Sequence, residues 1–249
     1  MTNPNTPIVN AGVKYVNGLS IAQAGSNLLQ IDIGAARDSL NENDIVSSTS
    51  LFLNMNRIGI NGLDSGTLLA SRYYAVFLIG DSTKNNPTAS LASLSMSNPI
   101  LPSGYDIFRR IGWAPTNSGG VNARMIQTGE GTYRKYITDD ESPTLITAGT
   151  ATNFGAGLIN LALINFPPIE TDLIVGVTYT PALAANVLEF GPLGGSLPSV
   201  RFGCGVAAVQ VGVLNIPSGP SASSVTARYR VQAGDTVTIV LNGFTDPLL

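Results

Sequence analysis

Leu78-Ile79-Gly80-Asp81-Ser82 sets a serine just past an apolar run, where a hydrolase would carry its nucleophile. A serine hydroxyl attacks only when a neighbouring base takes its proton, and the chain contains no histidine. The same absence removes a Ser-His-Asp triad, a His-ligated metal and a histidine proton shuttle. Glycoside hydrolysis needs only two carboxylates facing each other across a sugar. Glu130, Asp139, Asp140 and Glu141 lie close in sequence, yet that closeness does not set their separation across a sugar, and solvated loop charges are the simpler reading. Gly203-Cys204-Gly205-Val206-Ala207-Ala208 fits a loose G-x-G-x-x-A, but a dinucleotide fingerprint requires a helix directly after it. The continuation VQVGVLNIP reads as a strand that ends in proline. Cys204 is the single cysteine, which excludes an intrachain disulfide or a cysteine cluster around zinc or iron–sulfur. Between two glycines in an apolar run it reads as a small buried hydrophobe.

A second set of residues suits recognition rather than reaction. Tyr105, Phe108, Arg109, Arg110 and Trp113 combine the aromatic and arginine types that dominate binding hot spots. Alternation gives a plainer account: 105, 107, 111 and 113 are apolar and fall on one strand face, with the arginines paired to nearby acids. Tyr105, Arg109 and Trp113 stand as candidate interaction residues beside that core reading.

Composition bounds the rest. Charged residues make up 12% of the 249, against the roughly 25% usual for soluble domains. Thirteen basic and sixteen acidic residues give a net charge of −3. The basic residues cluster no further than Arg109-Arg110 and Arg134-Lys135, too little for a phosphate-binding footprint, so no nucleic-acid partner is expected. Uncharged stretches at Ser142–Ile169 and Phe202–Ala227 are broken by Gly, Pro, Asn and Thr, so no membrane span is expected. The N-terminus MTNPNTPIVN has no basic or apolar leader region, which points to synthesis in a cytoplasm. A binding or structural protein is favoured over an enzyme, and no cofactor or metal is expected.

The elements that must position these residues read as strands. Short β-branched or aromatic runs recur between turn signals such as Asn61-Gly62, Pro102-Ser103-Gly104 and Asn242-Gly243. Tyr73–Ile79 is apolar on both faces and predicts a central, doubly buried strand. Helical periodicity is absent, so the expected fold is all-β, with two β-sandwich or jelly-roll-like domains. The expected divisions are an extended N-terminal arm over 1–27, a β domain over 28–141 and a second over 142–249. Asp139-Asp140-Glu141-Ser142-Pro143 marks the border, beyond which there are only three basic and five acidic residues. A domain so poor in charge is expected to supply the self-association surface. Leu158, Leu161, Leu163 and Phe166, in LINLALINFPP, are its candidate contacts.

A family resemblance joins these readings. NGLDSGTLLASRYYAVFLIGDSTKNNPTASLASLS and PILPSGYDIFRRIGW, within Gly59–Trp113, resemble virion structural proteins of tailed bacteriophages. GAARDSLNENDI upstream extends the likeness, as do FPPIETDLIVGVTYTPALAANVLEFGP, VRFGCGVAA and VTARYRVQAGDTVTIVLNGFTD downstream. Together they cover about Asp32 to Asp246. The resemblance implies a non-enzymatic protein of the particle exterior, made in the bacterial host's cytoplasm. Its partners would be copies of itself, as a trimer or dimer, and the major capsid or tail protein. The stretch before Asp32 is short for a fibre's anchor and shaft, which favours head decoration (cement) or a head fibre. A tail-fibre or baseplate receptor-binding protein is the alternative, and a carboxylate-based glycan depolymerase stands behind it. No catalytic residue is carried over.

Overall fold

A computed structural model describes residues 14–122, 125–128, 133–138, 144–153, 156–160, 172–192, 200–203, 207–217 and 225–247. The described chain is all-β, with strands in five sheets and no helix. It divides into two compact units between Arg134 and Lys135.

The first unit holds β1 (Val16–Gly18), β2 (Ile21–Gly25), β3 (Leu28–Ile31), β4 (Gly34–Arg37), β5 (Asp44–Ser47), β6 (Leu51–Asn54), β7 (Gly62–Leu63), β8 (Tyr73–Gly80), β9 (Ala89–Ser93), β10 (Ile107–Pro115) and β11 (Met125–Thr128). Residues 14–27, expected as part of an extended arm, instead carry β1 and β2. Val16, Leu19 and Ile21 are spaced to reach a core and are buried there. Residues 1–13 lie outside the described residues. Gly18 turns the chain from β1 to β2 with φ of 65°, and a Cβ there would stand 2.4 Å from the Ile33 carbonyl oxygen.

Three sheets, ordered β1-β4-β5, β2-β3-β6 and β10-β8-β9-β7, converge on one core. β8 is the central strand expected for Tyr73–Ile79, with every residue from Tyr74 to Gly80 buried. Tyr74, Val76 and Leu78 face the shared core with Leu29, Ile31, Ile45 and Leu53. Beside β8, the register of β10 shifts between Arg110 and Gly112. The shift breaks the expected alternation: Ile107 and Ile111 enter the core cluster, whereas Trp113 stands opposite Ala75 and Ala114 takes the core place opposite Tyr74.

The second unit holds β12 (Tyr133–Thr138, entered from the first), β13 (Thr144–Gly149), β14 (Leu158–Asn160), β15 (Asp172–Thr180), β16 (Val187–Pro192), β17 (Val200–Gly203), β18 (Gln210–Pro217), β19 (Val225–Arg230) and β20 (Thr236–Pro247). β12 joins β20 in a sheet, so the chain commits to the second unit before the charge cluster at 139–141. One sheet runs β12-β20-β15-β18, with β13 also on β20, and the other runs β14-β19-β16-β17. Alternate residues of β15, Leu173, Val175, Val177 and Tyr179, are buried, as are Val237, Ile239 and Leu241 of β20. Leu188, Phe190, Ala227 and Tyr229 are buried from the other sheet. The Tyr179 and Phe202 rings meet edge to face at 6.4 Å, linking the two sheets.

Candidate functional site

The turn after β8 carries the serine that resembles a nucleophile. Asp81 builds that turn, accepting bonds from the Thr83 amide and hydroxyl at 2.8 and 2.5 Å and from the Asn86 amide and side chain at 3.0 and 2.9 Å. The Thr83 hydroxyl bond is the main cause that lowers the Asp81 carboxyl to a pKa of about 2. Ser82 donates its amide and its hydroxyl to Asp106, at 2.7 and 2.5 Å. The motif is thus a hydrogen-bonded turn whose serine is paired with a carboxylate. Gly203 ends a strand, and the next regular element among the described residues is strand β18, so the helix that a dinucleotide site needs does not follow it.

The aromatic and arginine set lies inside the first unit. Tyr105 is buried, with its hydroxyl donating to the Pro87 carbonyl at 2.9 Å. Burial, and secondarily the charge of Asp81, raises the Tyr105 pKa. Arg109 is buried across from Leu78, and loss of solvation followed by the charge of Arg110 lowers its pKa. Arg110 stacks over the Trp113 ring at 4.9 Å, and Trp113 is buried. Leu158 is 40% exposed at an edge of the β14-β19-β16-β17 sheet. Leu161, Leu163 and Phe166 lie outside the described residues, as do Glu130, Asp139, Asp140, Glu141 and Cys204. Among the described residues, no group of three or more acidic or cysteine side chains converges to hold a metal ion.

The structure assembles a different group, one that the sequence reading did not name. Leu188 and Phe190 of β16 point into the core, so Glu189 and Gly191 stand on the opposite face. Register sets Arg201 and Arg230 on either side of Glu189, and Arg228 opposite Gly191. Arg201 Nε donates to Glu189 Oε1 at 2.8 Å and Arg230 Nε donates to Oε2 at 2.5 Å. Burial works against the charged carboxylate, but the Arg230 hydrogen bond and the two positive charges outweigh it and hold Glu189 below its ordinary pKa. The Glu189 side chain is 8% exposed and that of Arg201 67%, so the row runs from a shielded centre to an open rim.

Arg228 is left over from this pairing. It lies between Leu158 of β14 and Gly191 of β16, with an acidic partner on neither side, and its Nε is buried without a hydrogen bond among the described residues. Among the described residues, the three basic residues after position 141 therefore share one sheet face with one carboxylate. An open cleft of about 420 Å³ adjoins the row, lined by Thr152, Val187, Glu189, Arg230 and Gln232. The signal was present in VTARYRV: arginines two apart on a strand face the same way, and the half of the chain that holds them has only one other basic residue.

On the β12-β20-β15-β18 sheet, the outer face is of the opposite character. Among the described residues β18 ends the sheet, and Val209 just before it and Val211 and Val213 along it are 58%, 77% and 65% exposed. Thr178, Thr238 and Val240 continue that face across β15 and β20, and Asp172 at one end is its charged residue among those described on β15, β18 and β20. Comparison with protein-family models gives no match for this chain, and comparison with curated proteins gives none either.

Proposed function

We propose that the protein is a non-enzymatic structural component of a tailed-phage virion, carried on the particle exterior as head decoration or a head fibre. The resemblance of Gly59–Trp113 and its flanking blocks supports the virion assignment. A mechanical role is supported by one observation above others: β18, an uncharged strand at the edge of its sheet among the described residues, with a row of exposed valines. Proteins that stay monomeric usually blunt such an edge with charge, proline or a bulge. An open edge presents unpaired backbone groups, and a second copy of the same edge is its self-complementary partner about a two-fold axis. Each unit then serves as a sandwich-like β body, and the second contributes the contact between copies. In the particle, such contacts and others to a capsid protein would clamp neighbouring subunits.

The test is to image the particles that carry this chain. Cryo-electron microscopy of intact virions is expected to show this fold on the outside of the head, with β18 against another copy. Absence of the protein from purified virions would refute the assignment. A receptor-binding role in the tail is the second reading. It is favoured by Arg228, whose Nε has no partner among the described residues, on the strand face that leads past Arg230 to an open cleft.

A further inference from the structure

We infer that Arg228 and Arg230, with the adjoining cleft, form a binding site for a carboxylated sugar such as a uronate within an acidic glycan. This goes beyond the virion assignment and stands or falls separately from it. A guanidinium whose Nε is buried with no hydrogen-bond partner among the described residues, and whose register neighbours carry no acid, is an expensive arrangement unless an anion arrives to pair it. Arg230 lies two residues along the same strand face, so both cations sit within reach of one ligand. The Arg228 guanidinium presents a planar fork of donors that matches a carboxylate in two parallel bonds, and Arg230, whose Nε is held by Glu189, adds positive charge beside it.

The neighbouring groups narrow the class. Glu189 already neutralises part of the row, so a singly charged carboxylate fits better than a phosphate dianion, which would meet Glu189 at the same sign. Beyond Arg230, the cleft offers Thr152, Gln232 and the Glu189 oxygens, which exchange hydrogen bonds with sugar hydroxyls. Its volume of about 420 Å³ lies within the roughly 300–1,000 Å³ of small-molecule sites.

Titration of the full-length protein with a galacturonic acid trimer, against the same trimer as its methyl ester, tests the site. The acid is expected to bind, and the ester to bind at least about tenfold more weakly, since the ester offers the guanidinium no charged acceptor. Arg228→Gln is expected to weaken the acid by a similar factor, with its melting temperature unchanged, while Lys84→Gln in the first unit leaves binding intact. Should Arg228→Gln fail to fold, Arg228→Lys replaces it; keeping the charge but losing the fork, it is expected to bind the acid more weakly. Absence of binding at millimolar trimer, equal binding of the ester, or unchanged affinity in the folded Arg228 variant would overturn the proposal. So would displacement of the trimer by equimolar inorganic phosphate, or tighter binding of polyglutamate.

Discussion

Asp235 offers the most direct measurement of what holds the second unit together. It is fully buried in the turn before β20, and both oxygens are occupied. Oδ1 accepts from the Ala182 amide at 2.7 Å and the Asn186 side chain at 2.8 Å. Oδ2 accepts from the Tyr179 hydroxyl and from the Gln232 amide at 3.2 Å. One carboxylate thus ties β15 and the loop after it to the turn between β19 and β20. Asp235→Asn keeps the shape but replaces one oxygen with an NH₂ group. If the remaining oxygen keeps Ala182 and Asn186, the new NH₂ faces the Tyr179 hydroxyl and the Gln232 amide. The hydroxyl can turn and accept, but the amide cannot, so one donor is orphaned and a second bond loses its charge. At about 1.5–3 kcal/mol for each hydrogen bond to a charged group, the loss comes to about 3 kcal/mol. For a unit near a hundred residues that lowers the melting temperature by about 10 °C or more. Calorimetry reads the melting point, and hydrogen exchange at the Ala182 and Gln232 amides reads the local loss. A melting point within about 2 °C of the parent, far less than this loss should produce, would refute the reasoning.

Four other outcomes follow from the same physics. Val76→Asp places a charge in the doubly buried centre of β8 and is expected to cost several kcal/mol, read as insoluble protein or a collapsed melting point; unchanged solubility and melting would count against the packing described. Asp38, Glu189 and Asp235 have folded pKa values below the ordinary carboxylate value near 4, so their stabilisation is complete above it and fades as the pH falls through the folded values; acid titration followed by fluorescence should show unfolding below about pH 4. Tyr15 runs in the opposite direction: burial, then its bond to Asp44, raises its pKa to about 12, so its stabilisation is present below the ordinary value near 10 and is lost as the pH rises toward 12, a loss that Tyr15→Phe should reduce. Finally, Val211→Lys with Val213→Lys puts charge on the β18 edge and is expected to shift the protein toward monomer in sedimentation, whereas an unchanged assembly would place the self-contact elsewhere.

How far these features were legible in the sequence depends on how local their cause was. The all-β class was legible because Tyr73–Ile79 and its like carry the period and residue types of strands without help from distant residues. The place of β1 and β2 was not, since Val16, Leu19 and Ile21 become core only when β3 and β4 arrive to pair with them. Trp113 fell on the unexpected face because a register shift of one residue resets every later side chain, and a shift leaves no fixed signature in composition. The Arg228–Arg230 face was half legible: the strand and its two arginines were in view, but Glu189 and Arg201 come from β16 and β17, which only the register brings alongside.

The scarcity of charge in the second unit acquires a meaning from where the charges went. A domain that merely lacked ions would scatter the few it had, since isolated surface charges contribute little to stability. Here, among the described residues, Asp235 is buried as a staple and Glu189 is shielded between two arginines. Arg201, Arg228 and Arg230 are gathered on one sheet face, and the valine row occupies the outer face of the other sheet. Segregation of this kind gives one protein two unlike surfaces. The valine face can press against copies of itself with Asp172, at one end, as its charge to desolvate among the residues described on β15, β18 and β20, because charge is what interface cores shed. The arginine face is left to an acidic ligand. Each surface can therefore be removed by substitution without touching the other: Val211→Lys with Val213→Lys should leave uronate binding intact, and Arg228→Gln should leave assembly intact. If either change abolished both properties, the two faces would have to be parts of one interface.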